Sequence, residues 1–382
     1  MKDILKDMSY CTGCSACYNA CDIKAIQMKS NEEGFVYPKI DRNRCIHCGK
    51  CRKSCPVINE PQKNKMKKSY AAYSLDESEH KTSSSGAVFA ELAKKVIDQK
   101  GYVWGAAFNE QLDVIHICVN DKNELKKLKG TKYIQSYIGN SYLKIKGQLK
   151  EGKKVLFSGT PCQIAGLKSF LRKDYSNLLC VDLICHGVPS PKVYKNYLNE
   201  ISKQKVIRMN FRNKDEGISR CKLEYILDDG KVLQENYADS VYIKGFLQNL
   251  YLRNSCFKCK FKGEERCSDI TIGDFWGITE FHKKMDHELG VSAVIIHSSK
   301  GQKSFEEIEN NIQFIESDVE KIKAWNSCLN QSVAYNENRS KFFEQWGNKS
   351  IVVLVDELSQ ENKKSKNLFG NSSNVFLIAI IE

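Results

Sequence analysis

Eight cysteines among the first 55 residues fall into two copies of one spacing, and no other feature narrows the fold as much. Cys11, Cys14, Cys17 and Cys21 form C-x2-C-x2-C-x3-C; Cys45, Cys48, Cys51 and Cys55, followed by Pro56, repeat it. Three thiolates at that pitch wrap one corner of an iron–sulfur cube, and the fourth cysteine lies too far along to join them. A structural zinc site wants four ligands at tetrahedral closure, usually from two separated C-x2-C pairs, so a third cysteine two residues on has no place in it. A disulfide framework wants an oxidising compartment. Residues 1–10 carry charges and no apolar core of a signal peptide, so the expectation is reduced thiols in a cytoplasmic protein.

The flanks agree. Ala25-Ile26 after the first motif and Gly34-Phe35-Val36-Tyr37-Pro38 before the second read as a short hairpin covering the clusters. Residues 1–60 resemble a bacterial two-cluster ferredoxin, with Asp22 standing where a proline commonly follows the fourth cysteine. That resemblance implies crossed wiring: Cys11, Cys14, Cys17 and Cys55 hold one 4Fe–4S cluster, and Cys45, Cys48, Cys51 and Cys21 hold the second.

The 382 residues leave room for one or two further domains with substantial cores. A hydrophobic content of 41% is a globular value. No apolar run approaches the roughly 20 residues of a membrane helix, so no membrane insertion is expected. The formal charge of +13 raises nucleic acid as a partner, but the lysines are scattered. The one local run, Lys63, Lys65, Lys67 and Lys68 beside Pro61, Gln62 and Asn64, reads as a solvated basic linker over 61–69, or a docking patch for an acidic redox partner. A zinc-bearing nucleic-acid binder is a rival that requires colourless protein and salt-sensitive binding. No nucleic-acid partner is expected.

Beyond the linker the pattern turns α/β. Short apolar stretches at 70–73, 101–105, 114–119, 153–157, 178–184 and 291–297 read as strands, and 87–99, 163–171 and 304–312 as helices. Strand, turn, helix, strand through 153–184 argues a crossover unit and a partly parallel sheet. Alternation between 206 and 233, with Asp228-Asp229-Gly230 as a turn, argues antiparallel strands. The expected fold is an α+β ferredoxin-like dicluster module followed by an α/β mixed-sheet flavin and iron–sulfur domain. Residues 70–150 form the first part of that domain and 151–345 the second. Residues 346–382 read as a divergent, loosely ordered tail.

The nine remaining cysteines hold a second constellation. Cys162 and Cys185 each end an expected strand, where loops of an α/β sheet build sites. Cys256 and Cys259 form a C-x2-C, and Cys267 follows. Cys118, Cys180, Cys221 and Cys328 read as small buried hydrophobes. Four thiolates from strand ends and one loop can converge on a further cube.

Five ordered motifs carry a resemblance over roughly residues 70–345. They are the Ser-rich turn Ser83 to Gly86; Gly130-Thr131-Lys132-Tyr133-Ile134-Gln135-Ser136; Ser158-Gly159-Thr160-Pro161-Cys162-Gln163 with Cys185-His186-Gly187; Cys256-x-x-Cys259; and Asp269 through Asp274-Phe275-Trp276-Gly277. Together they resemble the beta-subunit family of coenzyme F420 hydrogenases and dehydrogenases. With a ferredoxin module in front, the chain also resembles electron-input subunits of F420H2 dehydrogenase and the front half of an F420-dependent sulfite reductase.

The resemblance implies FAD and a third 4Fe–4S cluster, with Cys162, Cys185, Cys256 and Cys259 as its ligands and Cys267 as a fifth candidate. Ser83, Ser84, Ser85 and Gly86, feeding a helix amino terminus, form either a flavin pyrophosphate cradle or an ordinary serine cap. Family members usually have a glycine at the position of Ala87. Lys132 faces a flavin or phosphate, or is a surface lysine; Asp274, Phe275 and Trp276 line the pocket or simply pack. His186 bonds a cluster sulfur or caps a strand end. The expected activity is an iron–sulfur flavoprotein oxidoreductase moving electrons between ferredoxin-type clusters and a two-electron partner, coenzyme F420 or an unknown substrate. The alternative is a non-catalytic relay subunit. Either needs a redox partner protein, a ferredoxin or a larger oxidoreductase subunit.

Overall fold

The computed structural model describes residues 4–368. The doubled cysteine motif folds around a hairpin, β1 (Ile26–Ser30) and β2 (Val36–Ile40), paired antiparallel from Ile26 against Ile40 to Ser30 against Val36. Its turn is closed by Asn31, whose Oδ1 accepts from the Phe35 amide at 2.8 Å, and by Gly34 at φ +89°. Single-turn helices α1 (Ala16–Asn19) and α2 (Lys50–Lys53) follow the two C-x2-C loops. Each starts from a left-handed residue, Ser15 or Gly49.

The rest is built on one mixed sheet and a small second one. The large sheet has the order β13-β3-β12-β11-β7-β6-β4-β5. Its strands are β3 (Lys68–Ser74), β4 (Tyr102–Phe108), β5 (Val114–Val119), β6 (Val155–Ser158), β7 (Leu178–Leu183), β11 (Ile270–Asp274), β12 (Ser292–Ile296) and β13 (Ile312–Glu316). The centre, β4, β6, β7 and β11, is parallel, and the flanking pairs are antiparallel. Both faces are covered, so the central strands are near-continuous apolar runs such as Val155-Leu156-Phe157. The second sheet, order β10-β9-β8, comprises β8 (Val206–Asn213), β9 (Lys222–Leu227) and β10 (Val232–Asn236). Segments 70–150 and 151–345 share the large sheet.

The helices used below are α3 (Glu77–Thr82), α4 (Val88–Asp98), α5 (Ser141–Lys150), α6 (Pro161–Leu171), α7 (Pro191–Ile201) and α8 (Val241–Leu247). α6 opens with Pro161 at its first position, and Gln163 Oε1 accepts from the Thr160 amide at 3.0 Å. One core lies between α4 and the sheet. A second joins α5 and α6 to Cys14 and Ala16 of the cysteine module, and a third fills the space around the small sheet, α7 and α8. Among the described residues no helix is long and apolar enough to cross a membrane.

Three expectations change. The late helix is Ser299–Glu306, not 304–312: Phe305, Ile308 and Ile312 keep helical spacing, but a 3-10 turn at Glu309–Asn311 intervenes, and Ile312 begins β13 opposite Ser74. The basic linker is tied down. Asn64 bridges to Arg266, the Lys67 amide donates to Ile296 O at 2.8 Å, and β3 already starts at Lys68. Its lysines stay at the surface because their stems point away from that ladder. The tail begins with a helix, Ile351–Leu368, since Ile351, Leu354, Val355 and Leu358 repeat at helical spacing and bury in the third core. The rest of the expected tail, with its apolar end 375–382, lies outside the described residues.

Candidate iron–sulfur sites and the sheet edge beside them

Two thiol-lined cavities lie inside the cysteine module. One is lined by Cys11, Cys14, Cys17 and Cys55 among apolar residues including Ile4, Leu5 and Met28. The other is lined by Cys21, Cys45, Cys48 and Cys51 with Ile23, Ile26 and Ile40. Each takes three cysteines from one motif and the fourth from the other. Among the described residues no three His, Cys, Asp or Glu converge tightly enough for a single metal ion; the thiols ring a space instead. Burial pushes Cys14 up to about 12 and raises Cys17 and Cys55. Such thiols ionise only beside a strong local cation, which the iron of a cluster supplies. The donor sets fit 4Fe–4S clusters.

The two cavities differ in surroundings. The Cys11 cage is walled by the second domain. Arg253, wholly buried, donates from Nε to Cys11 O (2.7 Å), from Nη1 to Gln135 Oε1 (3.0 Å) and from Nη2 to Val36 O (3.0 Å). Gln135 in turn donates to Thr12 O at 3.0 Å. Asn19 on α1 donates to Gly139 O at 2.8 Å, and Glu33 pairs with the buried Arg339. Gly166 on α6 lies so close that a Cβ there would stand 3.0 Å from Cys14 Sγ. By contrast Cys48 of the other cage is exposed.

The third thiol group lies one helical turn from that contact. Cys162 starts α6 after β6, Cys185 follows β7, and Cys256 and Cys259 lie at the 3-10 turn Asn254–Lys258 and its end. Burial first, then Cys259, Cys185 and Cys256, raises the Cys162 thiol; Cys185 is pushed to about 12 and Cys256 to about 11 by burial. The four thus lie within electrostatic reach of one another, a donor set that fits a further cluster. Cys267 stands apart: its thiol donates to Pro61 O at 3.8 Å, and its charged neighbours are Lys63, Asp182, Glu60 and Lys168.

Cys328, read from sequence as a buried hydrophobe, belongs near this group. Asn249 Nδ2 donates to Ala334 O, so its Oδ1 accepts from His186 Nε2 at 2.7 Å. His186 Nδ1 then accepts from Cys328 Sγ at 3.5 Å, and Cys328 is sensed by Cys185. His186 therefore bridges Asn249 and Cys328. Nothing in its local sequence signals Cys328, which arrives from a distant 3-10 turn.

Next along the same carboxyl edge of the sheet, β11 ends at Asp274. Arg212 of β8 donates from Nη1 to both Asp274 oxygens (3.0 and 2.9 Å) and to Ser84 O (3.2 Å). Its guanidinium lies 5.8 Å from the ring centres of Tyr133, Tyr237 and Trp276. Thr131 donates to Ser84 Oγ at 2.6 Å. Lys214 ties the turn from below, donating to Ser85 O (3.1 Å), His80 O and Leu289 O. The Ser83 amide bonds His80 O, and Gly86 is obligatory: a Cβ would stand 2.3 Å from Ala72 O. Ala87 occupies the left-handed region at φ +63°, and no side chain caps α4. Arg212 was missed from sequence; an arginine after Phe211 inside an alternating strand was the only sign.

Two expected flavin-facing residues are engaged elsewhere. Lys132 is not an exposed lysine but donates to Leu128 O, Lys129 O and Gly130 O, and burial pushes its ammonium down to about 7. Phe275 packs in the core with Ile278 and Val291, its amide bonded to Val291 O. Ser84, Arg212 and Trp276 keep an anion-binding and ring-stacking character that fits a flavin.

A dicluster module fixed on an α/β domain whose sheet edge carries further thiols defines an iron–sulfur protein of the electron-transfer, oxidoreductase type. Residues 152–322 match the family described as the C terminus of the coenzyme F420 hydrogenase/dehydrogenase beta subunit, and 10–59 and 37–85 match two 4Fe–4S dicluster families. The chain thus carries a C-terminal domain of that beta-subunit family behind a 4Fe–4S dicluster domain. Two curated relatives match short stretches. Ketoisovalerate oxidoreductase subunit VorC of Methanothermobacter marburgensis is 39% identical over 51 residues, 13% of this chain and 65% of that protein. An uncharacterised polyferredoxin-like protein of Methanocaldococcus jannaschii is 33% identical over 66 residues, 15% of this chain and 38% of that protein. The chain therefore spans less than two thirds of either relative. A chain of the F420-reducing NiFe hydrogenase complex of Methanosarcina barkeri superposes with a TM-score of 0.47 at 16% identity, over 80% of this chain and 94% of that one.

Proposed function

We propose that the chain is an electron-input oxidoreductase subunit that exchanges two electrons with a small donor or acceptor of the coenzyme F420 type and passes them singly through ferredoxin-type clusters. The observation that carries this reading is the order of groups along one edge. Asp274 with Arg212 and Trp276 ends β11, Cys185 ends the neighbouring β7, and Cys162 follows the next strand, β6; Cys162's helix then touches Cys14. Ser84, Arg212, Thr131 and Trp276 would hold FAD, which when bound supplies the exchange between two-electron and one-electron chemistry. Cys162, Cys185, Cys256 and Cys259 would hold the third cluster. Arg212 neutralises charge beside the ring, and the aromatic side chains around it exclude water.

The test is an anaerobic visible spectrum of iron- and FAD-loaded protein before and after reduced coenzyme F420. Bleaching of flavin and cluster bands supports the proposal. Unchanged bands that dithionite still bleaches discard F420 as the donor. Brown protein that retains no flavin supports the second reading, a relay subunit, which the commitment of Lys132 and Phe275 to other contacts favours.

A further inference from the structure

We infer that the Cys21, Cys45, Cys48 and Cys51 cage is the external port of the chain, and that an acidic one-electron carrier protein docks over Ile46. This rests on the proposal that both cages hold clusters, and it assigns them different places. The Cys11 cage is closed off by Arg253, Gln135, Tyr142 and α6, so it faces inward toward Cys162. The other cage faces out. Arg42, Arg44, Ile46, His47 and Cys48 are all exposed, and the loop turns sharply through His47 (φ +56°) and Gly49 (φ +72°).

Ile46, at 67%, has the highest exposure among the exposed large hydrophobic residues described. It lies between two cage cysteines. Around it, residues 41–53 contain Arg42, Arg44, Lys50, Arg52 and Lys53 against Asp41 alone. An apolar centre inside a charged rim is the anatomy of a protein–protein contact, and the basic sign selects an acidic partner by attraction at a distance. The apolar centre favours a protein over a bare polyanion. The cargo is single electrons, because a cluster accepts one at a time: the carrier loses one electron as the outer cluster gains it.

The iron-loaded full chain is mixed anaerobically with reduced flavodoxin, an acidic carrier whose oxidation is followed by its own colour. Saturable oxidation of the carrier that slows as salt is added is expected. Ile46→Glu should cut the second-order rate about tenfold, and Lys53→Glu several-fold, by opposing association. Ile207→Glu, at an exposed site on β8, should leave the rate unchanged, and dithionite should reduce every variant alike. An unchanged rate in Ile46→Glu and Lys53→Glu, or a rate that rises with salt, overturns the port. The reaction uses neither F420 nor flavin, so failure of the deazaflavin reading leaves this result legible. Failure of dithionite to reduce iron-loaded chain would overturn the cages themselves.

Discussion

Gly166→Ala probes the junction between the inner cage and the third thiol group. The added methyl would stand 2.9 Å from Cys14 Cβ, 3.0 Å from Cys14 Sγ and 3.0 Å from Tyr142 Oη. Carbon contacts settle at about 3.5–4.0 Å, so α6 or the Cys11 loop must back away by several tenths of an ångström at three points together. Neither neighbour yields readily: Cys14 is buried in its cage, and the Tyr142 hydroxyl is fixed by donation to Gln163 O at 2.8 Å. Overpacking of this kind costs about 1–3 kcal/mol. Against it stands the roughly 0.5–1 kcal/mol that a helix interior gains when glycine becomes alanine. The net expectation is a loss of about 1–2 kcal/mol. Gly147 in α5 is the control, since nothing lies within 4 Å of its Cβ; Gly147→Ala should stabilise by roughly 0.5–1 kcal/mol. Urea midpoints of both loaded variants, measured anaerobically, decide the matter. A Gly166→Ala midpoint that rises alongside that of Gly147→Ala would refute the close approach, and with it the contact between the two sites.

Three further outcomes can be checked separately. Arg253→Met strands Cys11 O, Val36 O and Gln135 in a buried place and should cost at least about 3 kcal/mol, with iron lost from the inner cage; normal iron content at normal stability would refute its clamping role. Cys259→Ser should lower bound iron by about four atoms per chain while Cys267→Ser leaves it unchanged, and the reverse result in an iron assay would exchange their roles. Burial pulls His80 and His116 down to about 4 and His297 to about 3. Between those values and the ~6.5 of an unfolded histidine the unfolded chain binds the extra protons, so stability falls as pH falls, by about 1.4 kcal/mol per pH unit for each. Urea midpoints that stay flat from about pH 6.5 to about 4.5 would contradict this linkage.

What was legible in the sequence depended on range. The cage pairings could be anticipated because Cys21 and Cys55 are displaced from their own triplets by a fixed, local spacing. The parallel centre could be read because Val155 to Phe157 and Leu178 to Leu183 are apolar runs flanked by turns. Residues whose partners come from elsewhere in the chain left no such trace. Arg212 meets Ser84 and Asp274, and Arg253 meets Cys11 and Val36, only once the sheets are assembled. Lys132 misled in the opposite way: its own neighbouring carbonyls took the charge that the motif suggested for a ligand. The helix expected over 304–312 failed because apolar spacing alone does not register the break at Glu309–Asn311.

The position of β3 has a consequence for how the protein is made. It is the first strand of the large sheet to leave the ribosome, yet it lies in the interior, with Ala72 beside Ser292 on one side and Phe314 on the other. Neither neighbour exists until most of the chain has been translated. The cysteine loops are complete long before then, while Gly166 and Arg253, the wall of the inner cage, are still unmade. The inner cage is thus open to delivery during synthesis and shut afterwards, and the strands made last act as the latch on the part made first.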